Sequence, residues 1–392
     1  MKITDVRALA LSYVMPEDRR HRTDFGIHVK GDATIVRVET DAGLVGVGPA
    51  VGPPPVLRSI VETQLKPRVL GQDPTRVERL WELCYTGSRF PLLEAWGRSL
   101  PIFGYAGETI AALSGLDVAC WDIAGQALGV PTYRLLGGGF HGRLRGYASG
   151  GWQAADRIGE QLTGYVAKGF RAVKMRVWGN HAPDLRESIA RIHEARKVLG
   201  PDVQLMIDAH GTLDVTTAIR LGEAVRDCDL TWFEEPLPPT EIAGLAEVRR
   251  TTRVPIATGE SLFTRFPFRD LAAAGAADFF QPDVGVVGGL TEAKRIATLA
   301  GAHGLQMAPH VWFSALVFAA SLQLVAAIPN AFLFEVPQAA NPLIYELCQP
   351  RFTITPDGCV EVPSGTGLGV TLDPDVERRF PYVPGPNYVP AS

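Results

Sequence analysis

Three acidic residues follow short apolar segments at a constant spacing. Asp208, Glu234 and Glu260 lie 26 residues apart, each at or just beyond the end of an apolar run. Three carboxylates without a cysteine or histidine ligand form a hard oxygen site, which suits Mg²⁺, or Mn²⁺ as a substitute, better than Zn²⁺. A single acid of this kind is usually a surface residue beside a loop. Three in the same register instead predict a metal site.

The next two segments of this kind end in Asp283 and His310. A carboxylate beside an imidazole fixes the tautomer of the ring and stabilises its protonated form, which makes the histidine a competent general base. The alternative is a histidine whose ring is satisfied by a backbone carbonyl. Because Asp283 stands one segment earlier in the same register, we predict an Asp283–His310 dyad.

Two cationic residues, Lys174 and Arg176, end an earlier segment. A lysine near a metal could act as a base or hold a substrate carboxylate, whereas arginine, with a pKa above about 12, cannot act as a base. His210 follows Asp208 by two residues and so shares its strand face, as a candidate acid for a leaving group or as a structural residue. Glu335 could donate a hydrogen bond to an oxyanion if its pKa is raised, or could pair with a cation.

Together these groups predict one kind of chemistry. A divalent ion and cationic side chains would hold a substrate carboxylate while a base removes the weakly acidic α-proton. The metal would stabilise the resulting enediolate as a Lewis acid.

The segments that carry these residues repeat along the chain. Seven apolar segments end in ionisable groups 23 to 34 residues apart: 173–176, 205–210, 232–236, 255–260, 279–283, 306–310 and 332–335. That interval fits one strand and one helix, as in parallel βα units. Apolar residues at three- and four-residue intervals predict helices at 185–199, 215–225, 290–303 and 315–327. With an eighth segment at 145–148, the pattern predicts an α/β fold, a (β/α)₈ barrel with catalytic groups at the carboxyl ends of its strands.

The two ends of the chain do not follow this repeat. Apolar patterns predict strands at 3–11 and 33–40 and helices at 60–69, 76–85 and 108–128. The charged segment 15–31 is either a functional flap or a solvated loop. We predict an α+β capping domain over residues 1–130 and a catalytic barrel over 131–340. A C-terminal segment, 341–392, with short strands at 351–354 and 358–362, is expected to pack back on the capping domain.

Composition restricts the partners of this protein. The 392 residues are enough for two or three domains, and the 46% of hydrophobic residues provide an ample core. A net charge of -4 and a pI near 6.1 argue against nucleic acid or an anionic membrane as partner. Five scattered cysteines without CxxC spacing predict reduced thiols and a cytoplasmic location. The polar start of the chain predicts no signal peptide, and no apolar run reaches the ~20 residues of a membrane span.

The set of motifs resembles the enolase superfamily, mandelate racemase subgroup, over nearly the whole chain. It comprises Lys-x-Arg at 174–176, Asp-x-His at 208–210, Glu-Glu-Pro at 234–236, Gly-Glu at 259–260, Gln-Pro-Asp at 281–283 and Pro-His at 309–310, with the runs 117–122, 135–138 and 288–292. The resemblance implies a capping domain over a modified barrel and one essential Mg²⁺ on the three carboxylates, without an organic cofactor. It also implies that Asp283 and His310 form the base, that Glu335 hydrogen-bonds the enediolate and that Lys174 contacts the substrate carboxylate. Capping loops, here 15–31 and about 48–55, would close the pocket, and a homo-oligomer is expected.

One departure from the family pattern bears on the reaction. Racemases of this group have lysine where this chain has Arg176, and racemisation needs a base on each face of the α-carbon, so racemisation is doubtful here. The runs 208–211 and 259–266 look like the sugar-acid dehydratases related to galactonate and mannonate dehydratase. In those enzymes the histidine at the position of His210 is the acid that expels the 3-hydroxyl.

The resemblance therefore implies syn or anti β-elimination of water from an aldonate or aldarate, giving a 2-keto-3-deoxy acid. The alternatives are a cycloisomerase, racemase or epimerase on the same scaffold, and a barrel that binds a sugar acid or metal without turnover. Candidate substrate-binding residues are Arg20, His21, Arg22 and Trp312, with Arg19, Trp152 and Trp178 as further possibilities.

Overall fold

A closed sheet of short parallel strands accounts for the repeat. The computed structural model describes residues 1–102, 104–179 and 184–390. Within these ranges eight parallel strands of this sheet form the barrel: Arg143–Gly150, Ala172–Arg176, Gln204–Asp208, Leu230–Glu234, Ile256–Thr258, Phe279–Phe280, Gln306–Met307 and Phe334–Pro337. The first seven pair in parallel in chain order, and the eighth pairs with the first. A bridge between Met307 and Ala331 closes the ring, so the predicted α/β barrel is confirmed.

Helices occupy the intervals between these strands. They are Ile158–Ala167, Leu185–Leu199, Val215–Ala224, Ile242–Thr252, Arg265–Ala274, Gly289–Ala302 and Ala315–Ala326. Local capping explains several of their ends: Asp184 accepts hydrogen bonds from the backbone N–H groups of Arg186 and Glu187, and Gly200 ends the same helix. The four helices predicted from periodicity are confirmed.

The N-terminal part of the chain forms a separate sheet with helices on it. Strands Ile3–Val14, Lys30–Thr40 and Val45–Ala50 pair antiparallel in that order. Helical segments follow at Pro54–Ile60, Val61–Leu65, Lys66–Val69, Val77–Thr86, Gly87–Arg89, Phe90–Trp96, Glu108–Leu128 and Thr132–Leu135. An apolar cluster that includes Val36, Val38, Leu116 and Ile123 joins the sheet to the long helix Glu108–Leu128. In the described part of the chain, no helix has the length and apolar character that crossing a membrane requires.

The long helix also docks onto the barrel through buried polar contacts. Asp117 accepts hydrogen bonds from the hydroxyl and the backbone N–H of Thr291, at 2.5 and 3.0 Å. Ser114 Oγ accepts from Gly288 N at 2.9 Å, and Trp121 Nε1 donates to Thr291 Oγ1 at 2.9 Å. Burial raises the pKa of Asp117 to about 7 although the Thr291 bonds oppose the rise. The motifs 117–122 and 288–292 thus meet at one contact between the two parts of the molecule.

This contact predicts a specific sensitivity at Gly289. Its backbone has φ +80°, and a Cβ there would lie 2.3 Å from Asp117 Oδ2. Gly289→Ala should therefore lower the free energy of unfolding by more than the roughly 1–3 kcal/mol of backbone strain alone, because Asp117 must also be displaced. Chemical denaturation measures the loss.

Gly304 is the matched control, since it lies at the other end of the same helix. Its φ is +71°, and a Cβ there would meet nothing within 4 Å. Gly304→Ala should lower the free energy of unfolding by the backbone strain alone, because no atom is displaced. Equal losses of stability in the two variants would mean that the clash with Asp117 adds nothing to the cost of Gly289→Ala.

The charged segment after the first strand folds as a small hairpin. Glu17–Arg19 is a 3₁₀ turn, and strands His21–Thr23 and Gly26–His28 pair antiparallel. A third strand, Tyr388–Val389 from the C-terminal tail, pairs with the second. We call residues 21–28 the capping hairpin.

The rest of the tail, with elements Pro342–Tyr345, Cys348–Gln349, Cys359–Glu361, Thr371–Leu372 and Val376–Arg379, contacts both parts of the molecule. Cys359–Glu361 pairs with the first barrel strand, while Ser12 N donates to Phe380 O at 3.2 Å. The strand expected at 351–354 is wrong: it is reduced to a single bridge at Ile354. Phe352 instead stacks on Phe318 of a barrel helix, with ring centroids 4.2 Å apart. The domain boundaries near 130 and 340 remain predictions.

Candidate active site

Alternation along the barrel strands places the site above a closed core. The barrel interior is filled by a buried cluster of Tyr147, Ala172, Met206, Trp232, Ala257, Phe279, Ala308 and Leu333. In a strand, residues two apart point to the same side. Because Met206 and Trp232 point into the barrel, the side chains of Asp208 and Glu234, two residues later, point into it as well. The functional side chains form the next layer, at the carboxyl ends of the strands.

The three predicted carboxylates meet in this layer. One ligand atom from each of Asp208, Glu234 and Glu260 lies within 4.8 Å of the others. The side chains of Asp208 and Glu234 are fully buried, whereas that of Glu260 is 21% exposed. The difference arises because the strand Ile256–Thr258 ends before Glu260, which enters from the following turn at Gly259. We call these three residues the carboxylate cluster.

Two cations lie against the carboxylate cluster. Lys174 Nζ contacts Glu234 and lies 3.6 Å from Asp208 Oδ2, and Arg176 contacts Asp208. Glu234 Oε2 also accepts hydrogen bonds from Trp232 Nε1 at 2.9 Å and from Gln281 Nε2 at 2.7 Å. These partners hold the carboxylate oxygens in fixed positions at the mouth of the barrel.

Acidic charge nevertheless exceeds basic charge in this layer. Burial raises the pKa of Glu234 to about 7, with Lys174 opposing and the neighbouring acids reinforcing the rise. Burial together with Glu260 and Asp208 raises the pKa of Glu235 well above its usual range. The pKa of Asp208 is lowered despite its burial, because Arg176, His210 and Lys174 surround it. A donor set of three carboxylates with surplus negative charge fits a hard divalent cation.

The predicted dyad forms at the edge of the carboxylate cluster. His310 Nδ1 lies 2.7 Å from Asp283 Oδ2, and the other Asp283 oxygen accepts from Gly285 N at 2.7 Å. His310 Nε2 is 3.7 Å from Glu260 Oε2. Burial lowers the pKa of His310, but Glu260, Asp283 and Glu335 together raise it to about 10. Asp283 thus orients the ring so that Nε2 faces the carboxylate cluster.

His210 stands on the opposite side, beside Asp208. Its Nε2 is 3.6 Å from Asp208 Oδ2 and contacts Arg176, while its backbone N–H donates to Asp208 Oδ1 at 2.9 Å. Its φ of +48° directs the chain into a turn at this point. His210 Nδ1 lies 2.5 Å from Asp24 Oδ2 of the capping hairpin. Asp24 belongs to the charged segment 15–31, and no spacing in the sequence predicts its contact with His210, 186 residues away.

Glu335 is paired with a cation and does not act as a neutral hydrogen-bond donor. Its Oε1 lies 3.0 Å from Lys174 Nζ, and its Oε2 accepts from the backbone N–H of Val311 at 2.8 Å. Burial acts to raise the pKa of Glu335, but Lys174 and His310 lower it below its usual value. In this structure Glu335 is therefore an acceptor and an ion-pair partner.

The candidate substrate-binding residues separate into two groups. His21, Trp152 and Trp312 lie close together, with ring centroids 5.3 Å apart for the first pair and 6.3 Å for the second. His21, Trp152 and Arg19 line a cavity of about 210 Å³. Other candidates make contacts elsewhere: Arg20 Nε donates to Met15 O, Arg22 lies opposite Ile27 in the capping hairpin, and Trp178 Nε1 donates to Thr212.

A second group of metal-binding residue types lies elsewhere. His193, Asp227 and Cys228 approach one another, with His193 Nδ1 3.4 Å from Cys228 Sγ. Cys228 precedes the fourth barrel strand, so this group lies at the amino ends of the strands. Burial raises the pKa of the Cys228 thiol to about 11, which disfavours the thiolate that a metal would bind.

The fold and this site define a capped (β/α) barrel with an acidic mouth, and comparison with known families gives the same result. Residues 10–137 match the family "Mandelate racemase / muconate lactonizing enzyme, N-terminal domain", and residues 157–376 match "Enolase C-terminal domain-like". The chain belongs to the enolase superfamily, within its mandelate racemase and muconate lactonizing enzyme group.

Similar proteins carry names of related activities. The chain is 34% identical to D-galactarolactone cycloisomerase of Agrobacterium fabrum, over 97% of this chain and 99% of that protein. It is 34% identical to L-rhamnonate dehydratase of Saccharopolyspora erythraea, over 94% of this chain and 90% of that protein. The crystal structure of a racemase from Streptomyces coelicolor with bound magnesium has a TM-score of 0.83 at 28% identity, covering 96% of this chain and 99% of that one.

Proposed function

We propose that this protein is a Mg²⁺-dependent dehydratase of sugar acids. One observation carries the proposal: two imidazoles face the carboxylate cluster from different sides. His310 Nε2 is 3.7 Å from Glu260, and His210 Nε2 is 3.6 Å from Asp208. Loss of water from a hydroxy acid requires a base for the α-proton and an acid for the leaving hydroxyl, and this arrangement supplies one imidazole for each.

The residues of the carboxylate cluster would hold the metal. When bound, Mg²⁺ supplies a Lewis acid that offsets the negative charge developing on the substrate carboxylate. Lys174 and Arg176 lie beside the carboxylate cluster, where they would hold that same carboxylate. Their donors then stabilise the charge that appears when the α-proton leaves.

The proton transfers follow from the ring orientations. The charge of Glu260 is the main cause of the raised pKa of His310, and a cation bound at the carboxylate cluster would offset that charge and leave Nε2 unprotonated, as a base must be. His310 Nε2 takes the α-proton, and the C–H electron pair moves toward the substrate carboxylate, which gives the enediolate. That electron pair then forms the double bond to the β-carbon. The β C–O bond breaks, and its oxygen leaves as water with a proton from His210 Nε2. The enol product then tautomerises to the 2-keto-3-deoxy acid. Arg176 cannot serve as a second base because its pKa stays far above neutral. The scheme therefore contains no racemisation step.

A cycloisomerase is the second candidate, since the relative from Agrobacterium fabrum carries that name at 34% identity. Both reactions begin by removing an α-proton, but only dehydration changes the mass of the substrate. Aldonates, aldarates and their lactones should therefore be incubated with the Mg²⁺-loaded protein, and the products analysed by mass spectrometry and NMR. We expect loss of one water from a sugar acid. A product of unchanged mass would favour the cycloisomerase instead.

A further inference from the structure

The tip of the capping hairpin places an acid on a barrel histidine. Asp24 lies between the strands His21–Thr23 and Gly26–His28, and its Oδ2 is 2.5 Å from His210 Nδ1. The two side chains are only 7% and 11% exposed. A buried carboxylate this close to an imidazole is a directed hydrogen bond rather than a surface ion pair.

Contacts within the capping hairpin and from the C-terminal tail hold this contact in place. Within the capping hairpin, Thr23 Oγ1 donates to Gly26 O at 3.0 Å and accepts from Phe25 N at 3.1 Å, which shapes the turn around Asp24. The Phe25 ring stacks on the His210 imidazole with centroids 5.0 Å apart. Tyr388, from the C-terminal strand, packs against Phe25 at 5.4 Å. The position of Asp24 therefore depends on the closed arrangement of the capping hairpin and the tail.

The contact decides which ring nitrogen of His210 faces the site. A carboxylate at Nδ1 accepts the Nδ1–H, which leaves Nε2 for the carboxylate cluster. His210 Nε2 is 3.6 Å from Asp208 Oδ2, just as His310 Nε2 is 3.7 Å from Glu260 Oε2 with Asp283 at its Nδ1. The barrel supplies both members of the His310 dyad, whereas the capping hairpin supplies the acid of the His210 dyad.

We propose that Asp24 is the positioning residue for His210 and that closure of the capping hairpin completes a second carboxylate–imidazole dyad. This inference rests on the proposed function, because it concerns the elimination half of dehydration. His210, when protonated at both ring nitrogens, gives its Nε2 proton to the β-hydroxyl oxygen as the C–O bond breaks and water leaves, and the ring keeps its other proton on Nδ1 against Asp24. Removal of the α-proton by His310 does not involve Asp24. The capping hairpin thus controls departure of the hydroxyl and not formation of the enol.

The tautomer of His210 tests the dyad without any substrate. In protein labelled with ¹⁵N-histidine, at a pH where the His210 ring is neutral, we expect long-range ¹H–¹⁵N spectra to show His210 with its proton on Nδ1, which is the form left after it has given up the Nε2 proton. The signal is assigned by its loss in His210→Asn. In Asp24→Asn the amide can donate to Nδ1, and the opposite tautomer should appear. The control is Asp18→Asn, an exposed acid of the same segment, which should leave the spectrum unchanged. An unchanged His210 signal in Asp24→Asn would overturn the proposal.

The two halves of the reaction provide the kinetic test. In Asp24→Asn we expect kcat for dehydration to fall on the order of 10²- to 10⁴-fold, the usual contribution of a positioned acid, with KM little changed. Exchange of the α-proton with D₂O, followed by NMR, should continue near the wild-type rate. Equal losses of exchange and dehydration would mean that Asp24 only closes the site, and unchanged dehydration would remove any role for it.

Failure of the proposed function gives a different pattern. The wild-type protein would then dehydrate no sugar acid, and the tautomer experiment alone would decide whether the dyad exists. Circular dichroism and thermal unfolding of Asp24→Asn beside Asp18→Asn establish that both variants fold.

Discussion

Replacement of His310 by asparagine should abolish both turnover and exchange of the α-proton while the fold is retained. His310 is oriented by Asp283 at 2.7 Å and is the imidazole next to Glu260. Asparagine is similar in size and keeps a polar group beside Asp283, but it cannot accept a proton at neutral pH. We expect kcat to fall by about 10²- to 10⁴-fold or more. Product formation and deuterium incorporation from D₂O, both followed by NMR, measure the two effects.

The matched control for this variant is His303→Asn. His303 is exposed and lies between the helix Gly289–Ala302 and the strand Gln306–Met307, at the amino end of that strand and so away from the mouth of the barrel. It should keep wild-type activity and exchange. Deuterium exchange that persists in His310→Asn would show that another group removes the α-proton, and Lys174 would then be the remaining candidate.

Replacement of Glu260 by glutamine should remove most of the affinity for divalent metal. The change keeps the size of the side chain but takes one charge from the carboxylate cluster, whose ligand atoms lie within 4.8 Å of one another. Even loss of a partner behind a metal ligand costs about 10- to 100-fold in affinity, so loss of a direct ligand should exceed about 100-fold. Titration of metal-free protein with Mn²⁺, followed by electron paramagnetic resonance, measures the affinity.

Glu247→Gln is the control for charge alone, because Glu247 is an exposed acid on the helix Ile242–Thr252. It should bind metal as the wild type does. Removal of metal by a chelator should also abolish turnover, and Mg²⁺ should restore it. Metal affinity that is unchanged in Glu260→Gln would place the cation elsewhere and remove the basis of the proposed chemistry.

The predictable parts of the site are the residues at strand ends, whose side-chain direction follows from the alternation along the strand. Asp208 and Glu234 close segments whose alternate residues, Met206 and Trp232, fill the barrel interior. A regular interval between strands therefore places these ends side by side, whatever the details of the loops. Asp283 and His310 follow the same rule and meet at 2.7 Å.

Other features depend on contacts between distant segments. Asp24 and His210 are 186 residues apart, and nothing in the composition of either segment indicates that they meet. The sequence also gives no indication that the motifs 117–122 and 288–292 meet. They form the polar contact between Asp117 and Thr291, which joins the long helix Glu108–Leu128 to the barrel. The strand expected at 351–354 failed because Phe352 packs on Phe318 instead of pairing along a sheet.

The charge state of the site is also a tertiary property. Glu335 could have been a neutral donor or an ion-pair partner, and only the 3.0 Å contact with Lys174 decides between them. The amino-acid sequence by itself determined the repeat of strands and helices, and with it which side chains line the mouth of the barrel, because alternation and spacing are local. Tertiary structure alone decided that Glu335 pairs with Lys174 and that the capping hairpin brings Asp24 to His210, because these contacts depend on distances that chain spacing does not encode.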